Sequence, residues 1–168
     1  MDINKEFLSF VINRHDHSSI DASVIASNGR FAGCANFYTD ADAQGLIDFA
    51  RSLQGFPKRI DQVEEYWFGI SYSNSISLRK TDQDPSTFDS FAGLKFLCID
   101  GFGHTAVDLT LYQEKEYWSG RPESRGEVFF ELEFLPAQLD EFVKELFALA
   151  ENKEGSATLL ASDYSYRI

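Results

Sequence analysis

The residues best suited to hold a metal ion are two histidines near the N-terminus. His15 and His17 flank Asp16, and in an extended segment residues two apart point the same way. Imidazole is a common Zn²⁺ ligand, but a site needs three or four converging ligands, so His104 or a carboxylate would have to complete this one. The polar surroundings favour an exposed turn. We therefore expect neither a bound metal nor a cofactor.

A second group resembles part of an acid–base apparatus. His104 and Asp108 share one face of a predicted strand but lie four residues apart, roughly 13 Å along the backbone. A general base must lie within about 3 Å of the group whose proton it takes. Asp100 can approach His104 across a predicted turn, but no Gly-x-Ser-x-Gly or similar motif supplies a nucleophile. A small hydrolase or metal-dependent enzyme using His104 and Asp100 is therefore kept only as an alternative. A protein without enzymatic activity is the favoured interpretation.

Carboxylates and spare aromatic side chains suggest a binding surface. Glu131 and Glu133 share one face of an alternating segment, about 7 Å apart along the backbone, a separation that glycosidases use but that any solvated strand also offers. Aromatic side chains beside carboxylates are typical of protein interfaces. Membership of the core is the competing interpretation for the aromatics. The predicted binding residues are Trp67, Tyr117, Trp118, Phe129, Glu127, Glu131 and Glu133.

Strand-like segments surround these residues. Asn28-Gly29 separates two runs rich in β-branched and small residues, which predicts a β-hairpin. Leu94 to Ile99 is apolar on both faces, so this strand is expected near the centre of a sheet. From Glu127 to Phe134 the apolar and acidic residues alternate, as in a strand with one face in water. The segment from Gly155 to Ile168 is a last strand or partly frayed.

Two amphipathic helices are predicted to pack on the strands. The first is expected to begin with Thr39 or Asp40 as its N-cap and to stop before Gly55 and Pro57. The second should begin at Leu135-Pro136, with proline in its first turn. Both helices carry Leu-x-x-Phe-x-x-x-Leu stripes. This repeated stripe suggests an imperfect duplication of a hairpin-plus-helix unit over residues 20–54 and 103–150. However, any two helices packed on sheets need similar stripes.

The composition limits the classes of function. The 168 residues carry 27 acidic and 15 basic side chains, a net charge of −12, and 43% of them are hydrophobic. This length and hydrophobicity predict one globular domain over 1–168. The charge argues against nucleic-acid binding and against an anionic membrane surface. No apolar run approaches the ~20 residues that span a bilayer, and no signal segment is evident, so a cytoplasmic location is expected.

The negative charge is unevenly distributed along the chain. Residues 1–60 hold 7 acidic and 6 basic groups, whereas residues 61–168 hold 20 and 9. Their balances are therefore −1 and −11. Solubility is the simpler explanation. The alternative is a local negative field that steers a basic protein partner.

The order of these segments resembles a known group of proteins. A Gly-Arg-Phe-Ala-Gly strand, a Leu-Ile-Asp-Phe-Ala-Arg-Ser-Leu helix, a Cys-Ile-Asp-Gly-Phe-Gly-His hairpin and an acidic Phe-Phe-Glu-Leu-Glu-Phe strand precede the final helix. This pattern, over roughly residues 24–150, is similar to small uncharacterised bacterial α+β proteins, some grouped with immunity proteins of polymorphic-toxin systems. The resemblance implies a cytoplasmic, non-enzymatic protein that neutralises a cognate toxin. Acidity would suit a basic toxin such as a nuclease.

We therefore predict an α+β domain, mainly antiparallel sheet with two amphipathic helices packed on it. The leading functional hypothesis is a non-enzymatic protein-binding module, and its more specific form is an immunity-type inhibitor of a basic toxin. Besides the enzyme alternative, a small-ligand-binding regulatory domain is considered, with the aromatic middle of the chain lining a pocket.

Overall fold

A computed structural model describes residues 4–70, 90–101, 103–114 and 125–161. Eight strands and two helices lie within these ranges. The first half of the chain contains β1 (Glu6–His15), β2 (Ser19–Asn28), β3 (Ala32–Asp40), α1 (Gln44–Leu53) and β4 (Val63–Ile70). The second half contains β5 (Ser90–Cys98), β6 (Thr105–Glu114), β7 (Arg125–Phe134), α2 (Pro136–Asn152) and β8 (Gly155–Leu160).

The strands form two antiparallel sheets of four strands each. The first sheet has the order β3-β2-β1-β8 and the second the order β4-β5-β6-β7. This arrangement confirms the predicted α+β class with mainly antiparallel sheet. It also confirms the internal position of β5. Neither α1 nor α2 is long and apolar enough to cross a membrane.

The order of elements repeats, and the two halves exchange their last strands. Each half runs strand, strand, strand, helix, strand. However, β4 pairs with β5 of the second half, and β8 pairs with β1 of the first half. Each sheet therefore needs strands from both halves of the chain. The duplication of residues 20–54 and 103–150 stays a prediction, since these bounds omit the first and last strand of each repeating unit.

The predicted hairpin at Asn28-Gly29 is present and connects β2 to β3. Gly29 has a φ of 75°, which is easily accessible to glycine. The Asn28 carboxamide accepts hydrogen bonds from the backbone N–H groups of Arg30 (3.1 Å) and Phe31 (2.8 Å). Asparagine side chains stabilise turns in this way. The strand predicted from Arg30 therefore begins two residues later.

The sheets approach each other most closely at β3. A Cβ atom on Gly33 would lie 3.1 Å from Leu111 and 3.2 Å from Val128, so glycine allows β3 to lie against the second sheet. At the same edge, the backbone N–H of Asn36 donates to the hydroxyl of Ser90 at 2.9 Å. β3 is an edge strand, and this bond gives one of its backbone N–H groups an acceptor. Without the bond, that N–H group would be exposed or unpaired.

Helix α1 inserts an aromatic side chain between the sheets. Phe49 contacts Phe10 of the first sheet (centroids 5.3 Å apart) and Phe68 of the second (5.1 Å). Tyr66 also packs against Phe49, at 5.0 Å. Such ring pairs contribute ~0.5–1.5 kcal/mol beyond their burial. The aromatic side chains of Tyr66 and Phe68 are therefore core residues.

The start of α1 differs from the prediction. Strand β3 continues to Asp40, and the buried Thr39 lies opposite Ile20 of β2, so Thr39 cannot cap a helix. Instead the carboxylate of Asp42 accepts the backbone N–H of Gln44 at 3.1 Å. The end of α1 before Gly55 is confirmed.

Helix α2 begins as predicted, with Pro136 in its first turn. The side-chain oxygen of Gln138 accepts the backbone N–H of Leu135 at 2.7 Å. The last predicted strand is confirmed over Gly155–Leu160. Predictions for residues 71–89, 115–124 and 162–168 lie outside the described residues.

Candidate functional site

One face of the second sheet points away from the core. Along β7, Phe130, Leu132 and Phe134 are buried, whereas Glu131 and Glu133 are exposed. Successive side chains therefore alternate between the core and the outside, as in any strand. We call the outside the outer face. Its side chains form four rows that cross the sheet from β4 to β7, with rows about 7 Å apart.

Strand register defines the members of each row. The aliphatic row is Val63, Leu97, Ala106 and Glu133. The charged row is Glu65, Lys95, Asp108 and Glu131. The aromatic row is Trp67, Gly93, Thr110 and Phe129. The end row is Gly69, Phe91, Tyr112 and Glu127.

The ring of Trp67 lies over Gly93. A Cβ atom on Gly93 would be 2.6 Å from the indole, closer than any ordinary contact. The indole N–H donates to the carboxylate of Glu65 at 3.0 Å, which fixes the orientation of the ring. Glycine on the adjacent strand thus lets a large flat ring lie against the sheet.

The rings of Trp67, Phe91 and Tyr112 form a continuous aromatic surface. The centroids of Trp67 and Phe91 are 5.5 Å apart, and Phe91 stacks on Tyr112 at 5.1 Å with an angle of 22°. At the other end of the aromatic row, Phe129 is 68% exposed. Exposed aromatic groups in a contiguous patch commonly mark interaction sites.

Two carboxylates face each other in the charged row. Asp108 of β6 lies directly opposite Glu131 of β7. Partial loss of hydration raises the pKa of Glu131, and the negative charges of Asp108 and Glu133 raise it further. A hydrogen bond between the two side chains acts in the same direction. Like charges placed directly opposite each other on a sheet disfavour folding. A contribution to the stability of the fold therefore does not explain why these two carboxylates lie together.

The outer face is strongly acidic. Its described side chains include one ammonium group, that of Lys95, and five carboxylates: Glu65, Asp108, Glu127, Glu131 and Glu133. With all six groups ionised the formal net charge is −4. The excess of acid in residues 61–168 is therefore partly concentrated on one surface, where it would attract a cationic partner.

Aliphatic side chains border the face at one end of the sheet. Val63 is exposed, and Ile60 and Ile99 are exposed beside it. Ile60 lies near the β5–β6 hairpin, since a Cβ atom on Gly101 would be 3.6 Å from its Cδ1. The charged row is consequently flanked by apolar side chains on both sides, except on β7, where Glu133 lies next to Glu131.

Five of the seven predicted binding residues share the outer face. Trp67, Phe129, Glu127, Glu131 and Glu133 lie on it. Tyr117 and Trp118 lie outside the described residues. Sequence reasoning missed Gly93, Lys95 and Tyr112, whose position depends on cross-strand register. The sequence groups Asp108 with His104, but the cross-strand partners of Asp108 are Lys95 on β5 and Glu131 on β7.

Asp100 and His104 form the predicted pair. The imidazole Nδ1 lies 2.5 Å from the Asp100 carboxylate, and the backbone N–H of His104 bonds the other carboxylate oxygen at 3.1 Å. The Cys98 thiol donates to the backbone carbonyl of Asp100 at 3.2 Å. These contacts close the β5–β6 hairpin. The pair could orient an imidazole as an acid or base, but a nucleophile must come from elsewhere.

Asp16 is a turn residue. One of its carboxylate oxygens accepts the Ser18 backbone N–H, the Ser18 hydroxyl and the Ser19 backbone N–H, at 2.8, 2.8 and 3.0 Å. The bonds from Ser18, followed by that from Ser19, lower the pKa of Asp16 to about 2. His15 ends β1, and both it and His17 are exposed. Among the described residues, no group of three or more His, Cys, Asp or Glu could hold a metal ion.

No family model, curated protein or solved structure matches this chain.

Proposed function

We propose that the protein is a non-enzymatic protein-binding module and that the outer face of the second sheet docks a basic protein partner. The observation that carries this proposal is the convergence of Trp67 and Phe129 with three glutamates on one surface. Interfaces derive most of their affinity from buried aromatic and charged anchors. The rings would supply apolar contact, and the carboxylates would select a cationic surface.

The charge of the face favours a protein over a nucleic acid. Aromatic side chains also stack on nucleic-acid bases, but such sites combine the rings with cationic groups that neutralise phosphates. On the outer face only Lys95 is cationic among the described side chains, against five carboxylates. A polyanion would be repelled at the position where a basic protein surface would be attracted.

The resemblance to immunity proteins suggests the kind of partner. We propose an immunity-type inhibitor of a basic toxin. A nuclease must present cationic groups to phosphate, and an acidic aromatic face could cover those groups. The inhibitor would then compete directly with the nucleic-acid substrate.

The proposal predicts that a toxin-like protein is encoded beside this chain in its source genome, and the test uses that protein. Coexpression in a bacterial host should restore growth, and the purified complex should weaken as salt concentration rises. The double substitution Trp67→Ala and Phe129→Ala should remove most of the protection. Phe31→Ala is the matched control, because Phe31 is a similarly exposed ring (65%) in the β2–β3 turn.

Three outcomes would contradict the proposal. They are the absence of a toxin-like neighbouring gene, unimpaired protection by the Trp67/Phe129 double variant, and a complex that is insensitive to salt. The first outcome would exclude the immunity role, and the second would exclude the outer face as the docking surface. The third would exclude an electrostatic contribution to binding.

A second candidate function follows from the Asp100–His104 pair. The 2.5 Å contact would hold an imidazole in one orientation, as a small hydrolase requires. Metal analysis of the purified protein and a panel of ester and phosphoester substrates would test this function. Activity that His104→Ala abolishes would favour it, whereas residual activity in that variant would exclude the pair.

A further inference from the structure

The charged row contains more negative charge than its own cation can balance. Glu65 and Asp108 lie on either side of Lys95, and Glu131 follows at the edge strand. Glu65 already accepts the indole N–H of Trp67. Three carboxylates and one ammonium leave a formal charge of −2, which is concentrated at Asp108 and Glu131.

A protein that docks on the outer face would remove water from this row. Apolar side chains lie on both sides of it, Val63 and Leu97 in one direction and Trp67 and Phe129 in the other. On β7 the neighbour of Glu131 in the aliphatic row is Glu133, which adds a further negative charge. A charge that becomes buried without a partner is strongly unfavourable. The docking surface must therefore bring its own cation to Asp108 and Glu131.

We propose that the partner presents an arginine-bearing segment, with one guanidinium group against the ring of Phe129 and paired with the carboxylates of Asp108 and Glu131. This inference rests on the proposed function. Phe129 and Glu131 are two residues apart on the same face of β7, so a single flat cation can contact both.

The geometry favours arginine over lysine. A guanidinium group is planar, can donate to two carboxylates at once and stacks on aromatic rings. An ammonium group is a compact, strongly hydrated charge, so it cannot bridge two carboxylates and stack on an aromatic ring at the same time. Phe129 is 68% exposed and therefore accessible for such stacking.

The experiment uses two peptides of equal charge, acetylated and amidated tetra-arginine and tetra-lysine. Their affinities for the full chain are measured by calorimetry at low ionic strength, and their sites by amide chemical shifts. The arginine peptide should bind about threefold or more tightly than the lysine peptide. The largest shifts should fall on the amides of Asp108, Phe129 and Glu131.

Substitutions test whether the preference for arginine arises at this site or from the overall negative charge of the protein. Glu131→Gln and Phe129→Ala should each reduce the preference for arginine, and Asp108→Asn with Glu131→Gln should abolish it. Glu151→Gln is the matched control, because it removes one negative charge from the exposed surface of α2. It should leave the preference intact.

The outcomes distinguish this inference from the proposed function. Equal affinity of the two peptides, or equal effects of Glu131→Gln and Glu151→Gln, would overturn the arginine site even if the outer face protects against the toxin. A clear preference for arginine without any protection by coexpression would support the site and reject the inhibitor function.

Discussion

The indole of Trp67 lies over Gly93, its cross-strand neighbour on β5. The contact is so close that a Cβ atom on the glycine would be 2.6 Å from the ring. Trp67 is also tied to Glu65 by its N–H. The orientation of the largest ring on the outer face thus depends on the absence of a side chain one strand away.

Gly93→Ala should displace Trp67. Alanine in place of glycine within a strand normally gains ~0.5–1 kcal/mol, but overpacking costs ~1–3 kcal/mol, so we expect a net loss of about 1 kcal/mol. Partner binding should weaken as the ring moves. Trp67 fluorescence, recorded in a Trp118→Phe background, measures the displacement, and chemical denaturation measures the stability.

Gly126→Ala is the control for this prediction. Gly126 lies on β7, and a Cβ atom there would meet nothing within 4 Å. This variant should keep the wild-type fluorescence and, since its Cβ atom meets no clash, should raise the free energy of unfolding by ~0.5–1 kcal/mol. Unchanged fluorescence in Gly93→Ala would show that the ring does not depend on the glycine.

Phe49 joins α1 to both sheets, and its removal should be severe. Its ring contacts Phe10, Tyr66, Phe68 and Phe96 and is fully buried. Phe49→Ala should lower the free energy of unfolding by ~3–5 kcal/mol, as measured in urea. Phe31→Ala removes an exposed ring and should change it by no more than about 0.5 kcal/mol. Similar losses in the two variants would contradict the described core.

The sequence predicted β7 well because its pattern is local. Apolar and acidic residues alternate along it, so one face must be buried. The position of Gly93 under Trp67 was not predictable, because it depends on the register of two strands. Nor could one sheet be distinguished from two, since strand pairing is set by distant contacts.

The start of α1 shows how tertiary structure overrides local preference. Thr39 and Asp40 are favourable N-cap residues, but pairing with β2 extends β3 through both of them. Thr39 is buried there, so burial and sheet hydrogen bonds determine its role. Helix stripes such as Leu139 and Phe142 were predictable because their spacing is itself the signal.

The strand exchange predicts that the two halves fold only together. Fragment 1–80 lacks β8 of the first sheet, and fragment 81–168 lacks β4 of the second. Neither fragment should show a cooperative thermal transition by circular dichroism, whereas an equimolar mixture should. Replacing 81–168 with 81–154, which lacks β8, should abolish or greatly weaken the complementation. Cooperative unfolding of 1–80 alone would contradict this dependence.

Glu131 is predicted to carry a pH-dependent penalty, because it is partly dehydrated and lies opposite Asp108. Because the pKa of Glu131 is raised above its ordinary 4.5 in the folded state, the folded protein binds this proton more tightly than the unfolded chain. The resulting stabilisation is present below pH 4.5 and is lost as the pH rises through the folded-state pKa. Glu131→Gln should therefore melt at a higher temperature than the wild type at neutral pH, and the difference should shrink as the pH falls through the folded-state pKa towards 4.5. Melting followed by circular dichroism between about pH 3 and pH 8 tests this expectation.

Glu151→Gln, which removes the same charge from α2, is the control and should lack this pH-dependent difference. A plot of melting temperature against pH for Glu131→Gln that runs parallel to that of the wild type would show that the carboxylate pair carries no such penalty.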